Sequence, residues 1–168
     1  MSKAIRILVL LLLVAGATLA MPGAANAASD IYPIQSAAGA GKCVGLANYG
    51  STANGTGLII WDCHYNADQW WYNGDGGTMR SYASSWPYGK CVGLANYGNT
   101  ANGTALILWD CNYNPDQIWS WRALGNGNYA LYNPPSGKCA GLANYGSTVN
   151  GTRLVIWDCH LNPDQQWN

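Results

Sequence analysis

The chain contains the same unit three times, at a spacing of 48 residues. The octapeptide that runs from Cys43 to Gly50 recurs from Cys91, and it recurs from Cys139 with Ala140 in place of valine. A Trp-Asp-Cys triplet and a Gln-x-Trp motif follow at the same offsets in each copy. Such a period limits the possible folds more strongly than any local residue pattern. Each copy is one structural unit that must bury its apolar face against its neighbours. The three units cover roughly 31–78, 79–126 and 127–168.

Three copies without polar capping units favour a closed threefold arrangement over an open solenoid, which needs such caps. Within a unit the pattern is that of short β-strands. Apolar runs such as 58–61 and 106–109 are bounded by turn residues, and an Asn-Gly pair, which favours a tight turn, precedes each run. No part of residues 28–168 shows sustained helical periodicity with caps. We therefore predict an all-β fold with about four short strands per unit and about twelve in total.

Residues 1–27 have the pattern of a secretory signal peptide. Lys3 and Arg6 precede an apolar run from Ile7 to Ala15, and small residues lead to an Ala-x-Ala site that ends at Ala27. The apolar run is shorter than the ~20 residues that cross a bilayer. We expect cleavage near Ala27, secretion of a domain that covers 28–168, and no membrane attachment of the mature chain.

The six cysteines fit an exported protein, in which an even number of cysteines indicates disulfides. Six cysteines allow fifteen pairings, and the sequence alone does not choose among them. If each repeat closes on itself, the pairs are Cys43–Cys63, Cys91–Cys111 and Cys139–Cys159. A metal site is disfavoured because no Cys-x-x-Cys spacing occurs, and we expect neither a metal nor a cofactor.

The charge pattern suggests no polyanionic partner. Eight Asp exceed the six Lys and Arg that follow residue 27, and the chain has no Glu, so the predicted mature domain is slightly acidic. No basic patch suggests binding to nucleic acid or to an anionic membrane. The aromatic residues are Trp and Tyr without Phe. Both combine an apolar face with a polar group and therefore suit partly solvent-exposed surfaces as well as cores.

Together these motifs resemble the repeat of the ricin B-type lectins. The resemblance rests on a cysteine-containing strand, an Asn-Gly-Thr turn, an apolar strand ending in Trp-Asp-Cys, and a closing Gln-x-Trp, all three times in register. The same domain is the carbohydrate-binding module of many actinobacterial glycoside hydrolases. The family fold is a β-trefoil, in which six two-stranded hairpins form a barrel and a cap with pseudo-threefold symmetry. The family also implies that the motif residues are structural, namely Gln69, Trp71, Gln117, Trp119, Gln165 and Trp167.

In this family each repeat carries a shallow sugar groove with an aromatic platform. One face of a pyranose presents C–H groups that can lie on an indole, and its hydroxyls need directional hydrogen bonds, of which those to a carboxylate are the stronger. The platform corresponds to Trp61, Trp109 and Trp157. The family places an aspartate two residues after the first cysteine of each repeat. In this chain glycine occupies that position three times, at Gly45, Gly93 and Gly141.

An aspartate precedes each Gln-x-Trp, where the family often has asparagine. These residues are Asp68, Asp116 and Asp164. One hypothesis is that the carboxylate has moved across the groove and that the glycine leaves room opposite it. The alternative is a turn role, since Asn-Ala-Asp and Asn-Pro-Asp favour turns. The sequence leaves both open.

Other polar and aromatic positions are candidate sugar contacts, and each also has an ordinary structural explanation. The residue after the second cysteine can reach a sugar hydroxyl or be an ordinary loop residue; it is His64, Asn112 or His160. The aspartate after each platform Trp can orient it or bond a backbone amide; it is Asp62, Asp110 or Asp158. Tyr49 and its equivalents can form a further wall or pack under the loop. Tyr65, Tyr113 and Leu161 can supply a second apolar wall, and if they do, the third groove is the weakest.

Three classes of function follow from these features. The first is a non-catalytic, carbohydrate-binding protein, a monomer with up to three equivalent sites for galactose- or xylose-type glycans that act by avidity. The second is a protein-binding β-trefoil, such as a secreted protease inhibitor or toxin component, which would use a loop that differs between repeats, at 80–90 or 122–129. Catalysis is the least favoured, because no Ser, Cys or Lys is placed beside a His as a nucleophile–base pair.

Overall fold

The computed structural model describes residues 30–85 and 88–168, which form an all-β chain. The predicted signal peptide, 1–27, lies outside the described residues. The strands are Ile31–Pro33 (β1), Lys42–Leu46 (β2), Leu58–Asp62 (β3), Trp70–Asn73 (β4), Met79–Ser81 (β5), Cys91–Leu94 (β6), Leu106–Trp109 (β7), Ser120–Ala123 (β8), Tyr129–Asn133 (β9), Lys138–Leu142 (β10) and Leu154–Asp158 (β11).

Short helical segments occupy some of the connections. Four-residue helical turns follow strands β2, β6 and β10, at Ala47–Gly50, Ala95–Gly98 and Ala143–Gly146. Single 3-10 turns lie at Ala67–Gln69, Asp75–Gly77, Tyr82–Ser84, Pro115–Gln117 and Pro163–Gln165. None of the helices in the described residues is long and apolar enough to cross a membrane.

Each repeat contributes one long hairpin whose two strands are antiparallel. The hairpins are β2–β3, β6–β7 and β10–β11, and their registers are equivalent, with Cys43 opposite Trp61, Cys91 opposite Trp109 and Cys139 opposite Trp157. Strand β4 pairs with β5, and β8 with β9, across repeat boundaries, whereas β1 pairs with β4 within the first repeat. Three hairpins and a set of shared strands in pseudo-threefold order form the expected β-trefoil.

The three repeats close into a ring through the Asn-Gly turns. The Gly55 amide donates to the Leu108 carbonyl of the second repeat, Gly103 to Ile156 of the third, and Gly151 back to Ile60 of the first, at 2.8–2.9 Å. Each turn therefore pairs with the apolar strand of the next repeat, and the last pairs with the first. Through this cyclic pairing each repeat contacts the other two.

The core lies where the inner faces of the three hairpins meet. Side chains alternate along a strand, so Val44, Leu46, Leu58 and Ile60 point inward and are at most 3% exposed. Their equivalents in the other hairpins and the three Gln-x-Trp tryptophans complete a single cluster. Burial of this apolar surface is the main driving force for the fold.

The described residues contain eleven regular strands rather than twelve. The segment around Trp167 does not form a regular strand; it makes isolated bridges to Ser36 and Tyr129. Trp167 nevertheless occupies the equivalent place in the core and is 1% exposed. The repeat pattern predicts the position of this segment, but not how many consecutive ladder hydrogen bonds it makes.

Candidate functional site

A groove forms on the outer face of each long hairpin. Because side chains alternate, the residues that do not enter the core, Gly45 and Ile59 among them, face the opposite side together with Cys43 and Trp61. A disulfide closes one end of this face in each repeat. The pairs are Cys43–Cys63, Cys91–Cys111 and Cys139–Cys159, which are the within-repeat pairs that the threefold pattern favours.

The tryptophan before the Asp-Cys pair stands exposed at that end of the groove. Trp61, Trp109 and Trp157 are 43%, 44% and 46% exposed, so a large part of each indole is open to solvent. Each indole rests on the glycine of a neighbouring repeat's Asn-Gly turn. Atom Cζ3 of Trp61 is 3.9 Å from the position of a Cβ on Gly151, and Trp109 and Trp157 pack in the same way on Gly55 and Gly103. Two repeats therefore build each platform.

The glutamine of each Gln-x-Trp motif fixes the loop after the platform. Gln69 is completely buried, its Oε1 accepts from the His64 and Tyr65 amides, and its Nε2 donates to the Asp62 carbonyl. Gln117 and Gln165 make the equivalent three bonds. The indole Nε1 atoms of Trp71, Trp119 and Trp167 donate to the Val44, Val92 and Ala140 carbonyls of the first hairpin strand. The motif thus connects the loop, the hairpin and the core.

The aspartate before each glutamine lies over the glycine that replaces the family aspartate. A Cβ placed on Gly45 would lie 3.3 Å from Asp68 Oδ2, and a Cβ on Gly93 would lie 2.8 Å from Asp116 Oδ2. On its other side Asp68 is in contact with Gly50, where a Cβ would come within 3.0 Å of the Asp68 Cβ. The carboxylate therefore occupies space that two glycines leave free. A side chain at position 45 would therefore require Asp68 to shift from its present position.

The surroundings of these carboxylates differ slightly between repeats. His64 Nε2 lies 3.8 Å from Asp68 Oδ2, and His160 Nε2 lies 3.8 Å from Asp164 Oδ2. The second repeat has Asn112 instead of histidine, and Asp116 Oδ2 accepts a 3.3 Å hydrogen bond from the Leu94 amide. The side chains of Asp68 and Asp164 are only 18% and 21% exposed, so their charges are partly shielded from water.

A left-handed turn holds a tyrosine at the far end of each groove. Asn48, Tyr49 and Gly50 all have positive φ values, of 53°, 57° and 77°, and the other two repeats have the same conformation. For residues other than glycine this region costs roughly 1–2 kcal/mol per residue. The turn leaves Tyr49, Tyr97 and Tyr145 fully exposed. They therefore do not pack under the loop, which was one of the two expectations from the sequence.

The other aromatic position expected to form a wall lies outside the grooves. Tyr65 also has a positive φ of 57°, set by the two amides that Gln69 holds, and its ring lies beside Trp70 instead. Tyr113 accepts a hydrogen bond from Arg80. Neither Tyr65 nor Leu161 lines a groove, so these residues do not form the second apolar wall that would make the third groove the weakest.

The aspartate that follows each platform Trp belongs to a clasp between repeats. Asn150 Nδ2 donates to Asp62 Oδ2 at 2.7 Å, Asn150 Oδ1 accepts from the Asp62 amide, and Lys42 Nζ lies 2.6 Å from Asp62 Oδ1. Hydrogen bonds from Lys42 and Asn150 hold the pKa of Asp62 below its ordinary value. The same clasp, with the same lowering of the aspartate pKa, is formed by Asn54, Asp110 and Lys90 and by Asn102, Asp158 and Lys138.

The nine predicted sugar-site residues fall into three separate grooves, three to each. The groove volumes in repeats one, two and three are about 510, 520 and 450 Å³. The first groove is lined by Trp61, His64 and Asp68, the second by Trp109, Asn112 and Asp116, and the third by Trp157, His160 and Asp164. Each groove also contains the exposed tyrosine, for which the sequence left a wall role open, and an aliphatic floor residue, which the sequence did not single out. Within residues 30–85 and 88–168 no three His, Cys, Asp or Glu side chains come together as a metal site.

A closed threefold barrel of hairpins with one open groove per repeat defines a three-lobed β-trefoil. The sequence profile of the ricin-type β-trefoil lectin domain matches residues 30–167, which covers all three repeats. The chain therefore belongs to the ricin-type β-trefoil lectin family, whose domains bind carbohydrates. A search of curated proteins found no significant sequence match.

Solved structures support the same fold. A designed threefold-symmetric protein, ThreeFoil, is 26% identical, with a TM-score of 0.73, and the match covers 82% of this chain and 96% of that one. The C-terminal half of an earthworm R-type lectin in complex with GalNAc is 19% identical, with a TM-score of 0.61 and coverage of 82% and 95%. An exo-β-1,3-galactanase from Clostridium thermocellum is 21% identical, with a TM-score of 0.69, and this chain matches only 29% of its length.

Proposed function

We propose that this protein is secreted, has no catalytic activity, and binds glycans through three equivalent grooves that act together by avidity. The observation that carries the proposal is the pairing, in each groove, of an exposed Trp face with a partly shielded carboxylate. A pyranose can place its C–H face on the indole while two neighbouring hydroxyls donate to Asp68, Asp116 or Asp164. Galactose- and xylose-type sugars are the expected ligands.

The threefold symmetry supports binding to polymers or glycosylated surfaces. A single shallow groove is expected to bind one sugar with a Kd near 1 mM, which corresponds to about −4 kcal/mol. Three grooves on one rigid body convert the later contacts into intramolecular ones, and the avidity can exceed a single affinity by about 10²–10⁴. The same polar residues recur in all three lobes, as expected if all three bind.

The role of the aspartate follows from the space around it. In the family arrangement the carboxylate is attached two residues after the first cysteine. Here Gly45 removes that side chain, and Asp68 Oδ2 lies 3.3 Å from the place that its Cβ would occupy. The hypothesis is that Asp68 replaces the missing carboxylate from the 3-10 turn Ala67–Gln69 on the other side of the groove. Its location between Gly45 and Gly50 supports this role over that of a simple turn residue.

The test is a glycan array probed with the secreted protein, followed by retention on the polysaccharide that binds best. The triple variant Asp68→Asn, Asp116→Asn, Asp164→Asn keeps the side-chain shapes and removes the charges, and we expect it to lose retention. Asp75→Asn, at an exposed aspartate outside the grooves, is the matched control and should bind like the unmodified protein.

A rescue variant makes the test specific to the carboxylate. Introducing Gly45→Asp, Gly93→Asp and Gly141→Asp into the variant Asp68→Ala, Asp116→Ala, Asp164→Ala puts a carboxylate at the family position and frees the space that the native aspartates fill, and this variant should regain binding. Retention by a folded triple Asn variant at the unmodified level would overturn the role of the aspartates. A blank array with plant, animal and microbial glycans would overturn glycan binding itself and favour a protein partner.

A further inference from the structure

We infer that each groove binds at least two consecutive sugar units of a glycan chain, with the second unit held on the face of the exposed tyrosine, Tyr49, Tyr97 or Tyr145. This inference rests on the proposed glycan binding and deepens it. It makes the preferred ligand an internal or terminal stretch of an oligosaccharide rather than a single sugar residue. The arguments are the length of the groove, the position of the tyrosine and the conformation of its turn.

The groove is longer than one pyranose ring needs. Trp61 lies opposite Cys43 in the hairpin, and Leu58 lies opposite Leu46 three residues further along. At about 3.4 Å per residue this distance is roughly 10 Å along the strand. Tyr49 comes after Leu46 and lines the same groove as Trp61. The two aromatic residues therefore mark opposite ends of one elongated groove.

The floor between these two ends can carry a sugar chain. Gly45 has no side chain and lies opposite Ile59 on the groove side of the hairpin, so the middle of the groove is low and apolar. Asp68 stands beside Gly45, close to the midpoint. In the other lobes Ile107 and Val155 take the place of Ile59.

The tyrosine turn has features that packing does not explain. Tyr49, Tyr97 and Tyr145 are fully exposed, yet each has a positive φ, as does the asparagine before it. Nine of the ten non-glycine residues with positive φ in the described chain belong to the two left-handed segments that recur in every repeat. In the segment at Tyr65 the hydrogen bond to Gln69 accounts for the conformation. The exposed Tyr49 gains no buried surface from its strained backbone, which indicates a functional constraint there.

The first and the second sugar unit contact different side chains, so their contributions to the binding free energy can be measured separately. A single sugar on the Trp platform uses the Trp face and the carboxylate. A second sugar adds only the tyrosine face, and a contact of that kind raises affinity by about tenfold. Removing the tyrosine ring should therefore abolish the gain from the second unit and leave the affinity for the first unit unchanged.

The experiment measures affinity by calorimetry for two series, xylose, xylobiose and xylotriose, and galactose and galactobiose. For the series that binds, the unmodified protein should bind the disaccharide about tenfold more tightly than the monosaccharide. The triple variant Tyr49→Ala, Tyr97→Ala, Tyr145→Ala should bind both with the affinity of the monosaccharide. The corresponding Tyr→Phe variant should keep the gain, since the ring face is retained.

The matched control changes the other left-handed position of each repeat, Tyr65→Ala, Tyr113→Ala and Leu161→Ala. Those residues share the backbone conformation but lie outside the grooves, so the gain should persist. Equal affinity for monosaccharide and disaccharide in the unmodified protein would overturn the inference and leave the proposed function standing. The same holds if the tyrosine-to-alanine variant keeps the gain. Failure of the unmodified protein to bind any of these sugars or any glycan on the array would instead remove the proposed function.

Discussion

Asn150 and Asp62 lie 88 residues apart in the sequence, and Asn150 Nδ2 donates a 2.7 Å hydrogen bond to Asp62 Oδ2. The bond joins the Asn-Gly turn of the third repeat to the residue that follows the platform Trp61 in the first. Equivalent bonds join Asn54 to Asp110 and Asn102 to Asp158. The three clasps therefore close the ring of repeats at the same places as the backbone pairing of the turns.

The three Asn-Gly-Thr sequences match the sequon for N-glycosylation, and the clasps give these residues a structural role instead. Each asparagine amide is already engaged by the carboxylate and the amide nitrogen of an aspartate in the next repeat. The threonine hydroxyls are buried, with Thr56, Thr104 and Thr152 at 5–7% exposure. A glycan on the Asn54 nitrogen would have to break the bond to Asp110. The sequence motif is therefore a structural connection between lobes.

The first prediction concerns stability in acid. The pKa values of Asp62, Asp110 and Asp158 are lowered in the folded protein, by hydrogen bonds from the clasp lysines and asparagines. A carboxyl with a lower pKa in the folded than in the unfolded state stabilises the fold above the unfolded pKa, and the contribution is lost as pH falls through the folded pKa. We expect Tm to fall steeply below about pH 4.

The triple variant Asp62→Asn, Asp110→Asn, Asp158→Asn isolates this effect. It should melt at a lower temperature than the unmodified protein at pH 7, and the difference should shrink as pH is lowered from 4 to 2. Thermal melts followed by circular dichroism at several pH values measure both. Adding 1 M NaCl should reduce the difference at pH 7, because the clasps are exposed. Two Tm curves that remain parallel down to pH 2 would contradict the prediction.

The second prediction concerns the buried glutamine of the Gln-x-Trp motif. Gln165 is fully buried and makes three hydrogen bonds to the backbone of residues 158–161. Gln165→Ala leaves two amides and one carbonyl without these partners, and each loss of this kind costs about 1–3 kcal/mol. Urea denaturation should show the loss as a lower midpoint. Gln166→Ala, at the adjacent, partly exposed glutamine, is the control, and an equal loss in both variants would contradict the interpretation.

The third prediction concerns the disulfides, which close three loops of the same length. Each pair is separated by 20 residues in the sequence. If the bonds act mainly by restricting the unfolded chain, replacing both cysteines of one pair by serine costs about 3 kcal/mol, whichever pair is chosen. Urea denaturation of the three double variants measures this. Losses that differ strongly between repeats would show that local packing, rather than loop closure, determines the contribution.

The fold was largely predictable because the same motifs occur three times at the same spacing. A single Gln-x-Trp or a single cysteine pair is ambiguous, but three in register leave few closed arrangements. The clasp between Asn54 and Asp110 was not predictable, since the period equates the repeats but does not say which turn meets which strand. That choice depends on the handedness of the ring, which only the three-dimensional structure gives.

Within the groove, the sequence predicted which residues take part better than it predicted the directions in which their side chains point. The exposed Trp61 and the position of Asp68 beside Gly45 follow from the motif and its one consistent departure. The directions of Tyr49 and Tyr65 do not, because both lie in left-handed segments where the alternation of side chains along a strand no longer applies. Hydrogen bonds to Gln69 turn Tyr65 away from the groove, and no local pattern around Tyr65 signals this.

The fourth prediction concerns support of one lobe by another. The indole of Trp61 rests on Gly151 of the third repeat, where φ is +90° and a side chain is disfavoured. Gly151→Ala should displace the turn that supports Trp61 and weaken glycan binding by the first lobe, while the third lobe, which contains Gly151 in its own sequence, should be unaffected. The effect would thus appear in a lobe remote in sequence from the substitution.

Two backgrounds separate the lobes. In the variant Trp109→Ala, Trp157→Ala only the first platform remains, and adding Gly151→Ala should reduce retention on the polysaccharide severalfold. In the variant Trp61→Ala, Trp109→Ala only the third platform remains, and the same substitution should leave retention unchanged. Retention and Tm are measured for all four proteins, so that a general loss of stability is recognised as an equal loss in both backgrounds. Such an equal loss would mean that Gly151 maintains the fold as a whole rather than one platform.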